Sequence, residues 1–261
     1  QDRFGYSVSI DGDTMVIGAY EDDEKGYNSG SAYVFTRTTA GDLASGWTQV
    51  AKLTAGDGTG EEFFGFSVSI DGDTMVVGAF FDDSLTGSAY VFTRDTAGDL
   101  ASGWTQVAKL TADDGAAEDQ FGHSVSIDGD TVVIGAPYDD VKGSAHVFTR
   151  TTAGDLASGW TKVAKLTADD GASFDEFGVS VSIDGDTMVI GAFKDNDDNN
   201  GRKSGSAHVF TRDTAGDLAS GWTKVAKLTA NDGDDSDHFG KSVSIDGDTM
   251  VIGAFEDDEP D

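Results

Sequence analysis

Ser7-Val8-Ser9-Ile10-Asp11-Gly12-Asp13-Thr14 recurs with every residue unchanged at 67–74, 124–131, 180–187 and 242–249. Each copy follows a Phe-Gly pair, beginning at Phe4, Phe64, Phe121, Phe177 and Phe239, so the steps are 60, 57, 56 and 62 residues. A second unit, Thr-Ala-Gly-Asp-Leu-Ala-Ser-Gly-Trp-Thr, recurs at 39–48, 96–105, 152–161 and 214–223. A fixed period of this length marks a repeat architecture, in which each unit buries its apolar surface against its neighbours.

Within a repeat the pattern reads as four strands. Ser7–Ile10 alternates small polar with β-branched residues, the period of a half-buried strand. Asp11-Gly12 predicts a tight turn, because glycine accepts the positive φ that hairpins demand. Thr14–Ala19 is an apolar second strand, Ser31–Thr36 a third and Trp47–Leu53 a fourth. The fourth spaces Trp47, Val50 and Leu53 three apart, which predicts a bulge. No segment has the length and period of a substantial helix.

Four-stranded antiparallel units at this spacing predict an all-β fold, a β-propeller, ahead of a solenoid, whose repeats are usually shorter. The blades are read as 4–63, 64–120, 121–176, 177–238 and a partial one at 239–261. Five first hairpins stand beside four second units, so the chain encodes four full blades and half of a fifth. That fits a five-bladed ring with an incomplete last blade, or an excerpt of a larger ring. The small first-strand residues suit the crowded axis. Lys52, Lys109, Lys165 and Lys227 on the outermost strand would blunt its open edge.

The units resemble FG-GAP repeats, the blades of integrin α-subunit propellers and of related secreted microbial proteins. The residues that carry the likeness are Phe121-Gly122, Gly135-Ala136-Pro137 and the third strand Gly143–Phe148. Other copies read Gly-Ala-Tyr or Gly-Ala-Phe, as at Gly18-Ala19-Tyr20. The resemblance implies an extracellular or cell-surface module for recognition or adhesion, binding protein or glycan on a cell surface or matrix. Integrin-type calcium sites lie in the turn between strands one and two, as Asp-x-Asp-x-Asp-Gly. Here that turn is shortened to Asp11-Gly12-Asp13, too short to encircle an ion, and the family's site is not carried over.

Net charge is −31, from 48 acidic and 17 basic side chains. A nucleic-acid backbone would need the opposite sign, and anionic membrane surfaces are disfavoured for the same reason. There is no Cys, so disulfides contribute nothing. No run approaches the roughly 18 apolar residues of a membrane helix, and no signal-peptide pattern is present. The first and last residues fall inside repeats, so the chain is read as a mature or excised part of something longer.

Strand alternation sorts the loops onto two faces. The face holding the strand two-to-three loops and the blade-to-blade connections carries 32 of the acidic residues against six basic ones. The opposite face carries 16 against four arginines. Adjacent acids recur on the richer face as Asp22-Asp23, Asp82-Asp83, Asp139-Asp140, Asp197-Asp198 and Asp257-Asp258. Others, at Asp113-Asp114, Asp169-Asp170 and Asp234-Asp235, precede the next Phe-Gly. Hard cations take six to eight oxygen ligands, and uncompensated like charge destabilises a compact fold. The five recurring pairs are therefore candidate ligands for Ca2+, bridging one loop to the neighbouring blade's Phe-Gly connection. A merely hydrated acidic surface is the competing reading.

Other chemistry is weakly signalled. His123, His146, His208 and His238 occupy scattered repeat positions, except that His146 and His208 replace Tyr33 and Tyr90, a packing substitution. No Ser sits in a Gly-x-Ser-x-Gly elbow. Near-uniform repetition of the carboxylates argues against an active site, which normally breaks symmetry. The chain is therefore expected not to be an enzyme, with a carbohydrate-active enzyme as a minor alternative. Trp47, Trp104, Trp160 and Trp222 share one context and read as packing anchors. The insertion Lys194–Lys203 is the strongest departure from the repeat and a pointer to a unique site. The half blade keeps open a structural subunit that self-assembles into a surface array or fibre.

Overall fold

A computed structural model describes residues 2–196 and 202–257. Among them are five antiparallel sheets. The first blade holds β1 (Val8–Asp11), β2 (Thr14–Ala19), β3 (Ser31–Arg37) and β4 (Trp47–Leu53). The second holds β5 (Ser67–Asp71), β6 (Thr74–Ala79), β7 (Ser88–Arg94) and β8 (Trp104–Leu110). The third holds β9 (Ser124–Asp128), β10 (Thr131–Ala136), β11 (Ser144–Arg150) and β12 (Trp160–Leu166). The fourth holds β13 (Ser180–Asp184), β14 (Thr187–Ala192), β15 (Ser206–Arg212) and β16 (Trp222–Leu228), and the half blade β17 (Ser242–Asp246) and β18 (Thr249–Gly253). Strands run in chain order across each sheet, the meander of a propeller blade.

The local signals act as read. β1 and β2 turn over Gly12-Asp13, with Gly12 at φ 52. In every full blade the register slips one residue between strands three and four, at Val34/Phe35 in the first, which is the predicted bulge. First strands neighbour one another around the axis, β1 beside β5, β5 beside β9, and so on to β17.

Blades meet through one repeated core. Val16, Ala32, Val34 and Leu53 of the first pack on Phe64, Val68, Ile70 and Met75 of the second. Phe64 is fully buried, edge-on to Tyr90 and Phe92 at 5.5 and 5.9 Å. The first-strand polar residues do more than fit a crowded axis, because each forms a rung to the next blade. Ser7 Oγ donates to Gly65 O at 2.8 Å, Ile70 N to Ser9 Oγ at 3.2 Å and Gly72 N to Asp11 Oδ2 at 2.9 Å. The same rungs recur at the fourth junction, as Ser180 to Gly240, Ile245 to Ser182 and Gly247 to Asp184.

The Phe-Gly and Gly-Ala elements of the repeat touch across this boundary. A Cβ on Gly18 would stand 1.9 Å from Gly65 O and 2.3 Å from Ser7 Oγ, so only glycine admits the approach. On the opposite face Arg94 binds Asp73 at 2.7 Å, stacks on Trp104 at 4.5 Å and reaches Thr14 of the preceding blade at 2.8 Å. The tryptophans are therefore anchors, each beneath an arginine.

The arc of blades is open. Phe4, Val8 and Ile10 are 55%, 63% and 59% exposed, whereas Phe64, Val68 and Ile70 are at most 8% exposed. At the other end Val251 is 67% exposed and its counterpart Val16 is buried.

Candidate functional site

The variable loops at 20–30, 80–87 and 137–143 and the described parts of 193–205 share one face with the connections 54–66, 111–123, 167–179 and 229–241. Parallel bridges tie the two classes, Gly30 to Phe64, Gly87 to Phe121, Gly143 to Phe177 and Gly205 to Phe239. Each loop is thereby held against the connection that enters the next blade.

The aspartate pairs divide into inner and outer members. Asp22, Asp82 and Asp139 are buried, whereas Asp23, Asp83, Asp140 and Asp257 are exposed. Asp197, Asp198 and Asp258 lie outside the described residues. In the fourth blade the inner position belongs to Asp195, which is buried. Asp195 stands four residues after Gly191, as Asp22 does after Gly18, but Asn196 follows it, so a search for adjacent aspartates passes over it.

Each inner carboxylate already has a cation, the fourth-strand lysine of its own blade. Lys52 Nζ lies 3.1 Å from Asp22 and 2.6 Å from Glu24. Lys109 joins Asp82 (2.8 Å) to Asp57 (2.7 Å), Lys165 joins Asp139 (2.8 Å) to Asp114 (2.5 Å), and Lys227 joins Asp195 (2.7 Å) to Asp170 (2.6 Å). In these three junctions the ammonium links its blade's loop to the connection from the preceding blade. The sequence reading instead has calcium join a loop to the connection entering the next blade, the contact made here by the parallel bridges. The lysines turn inward to the loops.

Electrostatics follow from this pairing. Burial opposes ionisation of Asp139, but hydrogen bonds from His146, Lys165 and Ser144 outweigh it and hold the carboxyl well below its usual range. The Lys165 hydrogen bond brings Asp114 down to about 2. Burial likewise opposes the charge on Lys165 and Lys227, and their carboxylate partners outweigh it, so both are raised. These pairs are ionised at neutral pH and compensate each other. A second set of acids, Glu62, Asp119 and Asp175, is buried two residues before Phe64, Phe121 and Phe177 and raised by that burial. Each caps its own connection, as when Ala116 N donates to Asp119 Oδ2 at 2.6 Å.

Two trios gather possible metal ligands. Carboxylate oxygens of Asp113 and Asp114 and a ring nitrogen of His146 lie within 4.8 Å of one another, as do those of Asp169, Asp170 and His208. Lys162 and Lys165 hold the first set of carboxylates, and Lys224 and Lys227 the second, so an ion there competes with two ammoniums. Ser144, His146 and Asp139 have the composition of a catalytic triad, but all three are buried. The Ser144 hydroxyl donates to Asp139, and the trio recurs as Ser206, His208 and Asp195. It is a packing network.

On the same face two grooves share Tyr138 and Phe174. One, of about 430 Å3, also holds Leu85, Glu118, Asp140 and Val141. The other, of about 440 Å3, holds Lys194, Arg202 and Lys203, the described ends of the long insertion.

Among solved structures the chain is similar to Sqt1 from Chaetomium thermophilum, at 16% identity and TM-score 0.47 over 86% of this chain and 49% of that one. It is similar also to an exo-beta-1,3-galactanase from Phanerochaete chrysosporium, at 12% identity and TM-score 0.42 over 85% of this chain and 49% of that one. The chain spans about half the length of either. No curated protein matches it. The FG-GAP repeat model matches residues 1–35, 47–92, 104–148, 160–210 and 222–261. Each complete matched segment starts at a fourth strand and ends in or at the next blade's third, so the family signal is centred on the blade boundary where Phe-Gly meets Gly-Ala. With five such matches across the chain, the protein belongs to the FG-GAP repeat family.

Proposed function

We propose that the chain is a non-enzymatic recognition module, extracellular or at a cell surface, that presents its acidic loop face to a cationic partner. One observation carries the reading: repeat-to-repeat variation is concentrated on that face. The Asp-Gly-Asp turns and the Ala-Gly-Asp-Leu-Ala-Ser-Gly-Trp connections of the other face keep one sequence. The loops 20–30, 80–87, 137–143 and 193–205 differ in both length and residues. Packing alone gives no reason for this asymmetry, whereas a ligand surface on a rigid frame does.

The test is a binding screen against matrix proteins and glycans, repeated after loops 20–30, 80–87, 137–143 and 193–205 are each replaced in turn by a Gly-Ser loop of the same length. Loss of binding is expected on at least one replacement. Binding that survives every replacement, or an enzymatic turnover of a glycan, overturns the reading.

Calcium enters this reading as a counter-ion at the outer carboxylates. Asp140 is 87% exposed at its side chain and lies 3.6 Å from Lys165, whereas that lysine stands 2.8 Å from the buried Asp139. Melting with millimolar calcium should match melting with sodium at equal ionic strength. A calcium-specific rise restores ordered sites at the aspartate pairs. The exposed apolar ends, with Val8 and Val251 uncovered, favour self-assembly as the second reading. Light scattering that shows only monomer removes it.

A further inference from the structure

Where repeats are this similar, a position that departs from the rest against the preference of its backbone marks a separate constraint. The residue two before the bridging glycine takes a left-handed φ in all four full blades: Asn28 at 52°, Leu85 at 69°, Val141 at 59° and Lys203 at 58°. Asn tolerates that conformation. Leu and especially β-branched Val do not, at a cost of roughly 1–2 kcal/mol each. The residue three before Phe64, Phe121, Phe177 and Phe239 is left-handed too, as Glu61, Glu118, Phe174 and Ser236, and only one of these is aromatic.

Leu85, Val141 and Phe174 all line the 430 Å3 groove between the second, third and fourth blades. Phe174 N donates to Val141 O at 2.6 Å, which fixes the two beside each other. Val141 is 51% and Phe174 62% exposed, so core packing does not repay their strained backbone. The charged lining residues are Glu118, Asp119 and Asp140, with no basic side chain among them. Lys194, Arg202 and Lys203 stand on the far side of the Tyr138–Phe174 wall. Apolar lining, acidic side chains and the exposed Phe174 ring beside the half-buried Tyr138 suit a cation carried on an apolar stem.

We propose that this groove docks a protein segment presenting an arginine or lysine beside an apolar side chain. The proposal rests on the recognition-module reading and assigns its partner class and place. The probe is a blocked synthetic peptide of alternating leucine and arginine, with a leucine–glutamate twin, titrated against the whole chain by calorimetry. Saturable binding of the arginine peptide alone is expected. Phe174→Ser, the residue type at position 236, should weaken it about tenfold, and Glu118→Gln about threefold. Glu61→Gln, at the equivalent place one junction away, should leave it unchanged. Circular dichroism and melting curves of each variant establish that the fold is intact.

No saturable binding, equal binding of the glutamate twin, full affinity in Phe174→Ser, or equal losses in Glu61→Gln and Glu118→Gln would each overturn the groove. If the matrix and glycan screen still finds a loop-dependent partner, the module reading stands without it. If that screen is also empty, both fall.

Discussion

Beneath the loop face, blades 1 and 2 supplement the lysine pairing with neutral groups, whereas blades 3 and 4 add a second charged pair. In the first pair Tyr33 and Tyr90 reach the inner aspartates through their hydroxyls, at 2.6 and 3.0 Å. Gln106 accepts from Gly56 N at 2.9 Å across the boundary. In the second pair the shorter His146 and His208 replace tyrosine, and Ser144 and Ser206 hydroxyls take over the aspartates. Their counterparts Ser31 and Ser88 have no partner among the described side chains. Where Gly56 stood, Asp113 and Asp169 now stand, and Gln has become Lys162 and Lys224, each paired with that aspartate. The substitutions travel as a set. An acid added to a connection is matched by a base on the next blade's outer strand, while the backbone is left alone.

If the backbone frame is common to both halves, breaking it should cost them equally. Gly18→Ala and Gly135→Ala each drive a Cβ to 1.9 Å from a carbonyl of the next blade. Both should lose about 3 kcal/mol or more, or fail to fold. A denaturant titration in which one variant is spared would mean the two junctions are not equivalent.

Acid should separate the halves. Burial, helped by Lys224, pushes the His208 imidazole down to about 4, and burial does the same to His123 at the start of the third blade. The unfolded chain takes up the proton near 6.5, above the folded value. The stabilisation is thus complete above pH 6.5 and is lost as pH falls through 4, to the extent of up to about 3 kcal/mol per group. Melting curves across that window should fall, and His208→Tyr with Lys224→Gln, the pairing of the first two blades, should remove about half of the fall. An unchanged slope in the double variant would locate the acid sensitivity elsewhere.

The smallest effect tests the matched pair itself. Lys162→Gln leaves Asp113 facing a neutral side chain, so stability should drop slightly at low salt and return at high salt. A loss that salt does not relieve would show that Lys162 acts through packing.

Much of this was legible in the repeats. The Asp-Gly turn, the bulge signalled by Trp47, Val50 and Leu53, and the Phe-Gly boundaries follow from local backbone and burial rules, which five copies repeat. The lysine bridges were not legible, because Lys52 and Asp22 are 30 residues apart and meet only when the hairpins close. Lys165 and Asp114, in different blades, meet only when blades stack. Asp195 is followed by Asn196 and not by a second aspartate, so only its fixed offset from Gly191 marks it in the sequence. The groove was hidden because Leu85, Val141 and Phe174 are widely separated and unremarkable until their left-handed φ is known.

The rungs from Ser7, Ser9 and Asp11 to the following blade carry a mechanical corollary. At these rungs every blade offers its successor the same donors and acceptors it met in its predecessor, so the rungs, unlike the loop-face pairs, hold no information about their place in the row. Under tension from the two ends, such a chain yields as a series of like fasteners. Each opened 57-residue blade, such as the one starting at Phe64, pays out roughly 190–205 Å of slack before the next takes the load. The same indifference to position lets whole units be gained or lost by duplication and deletion without designing a new contact.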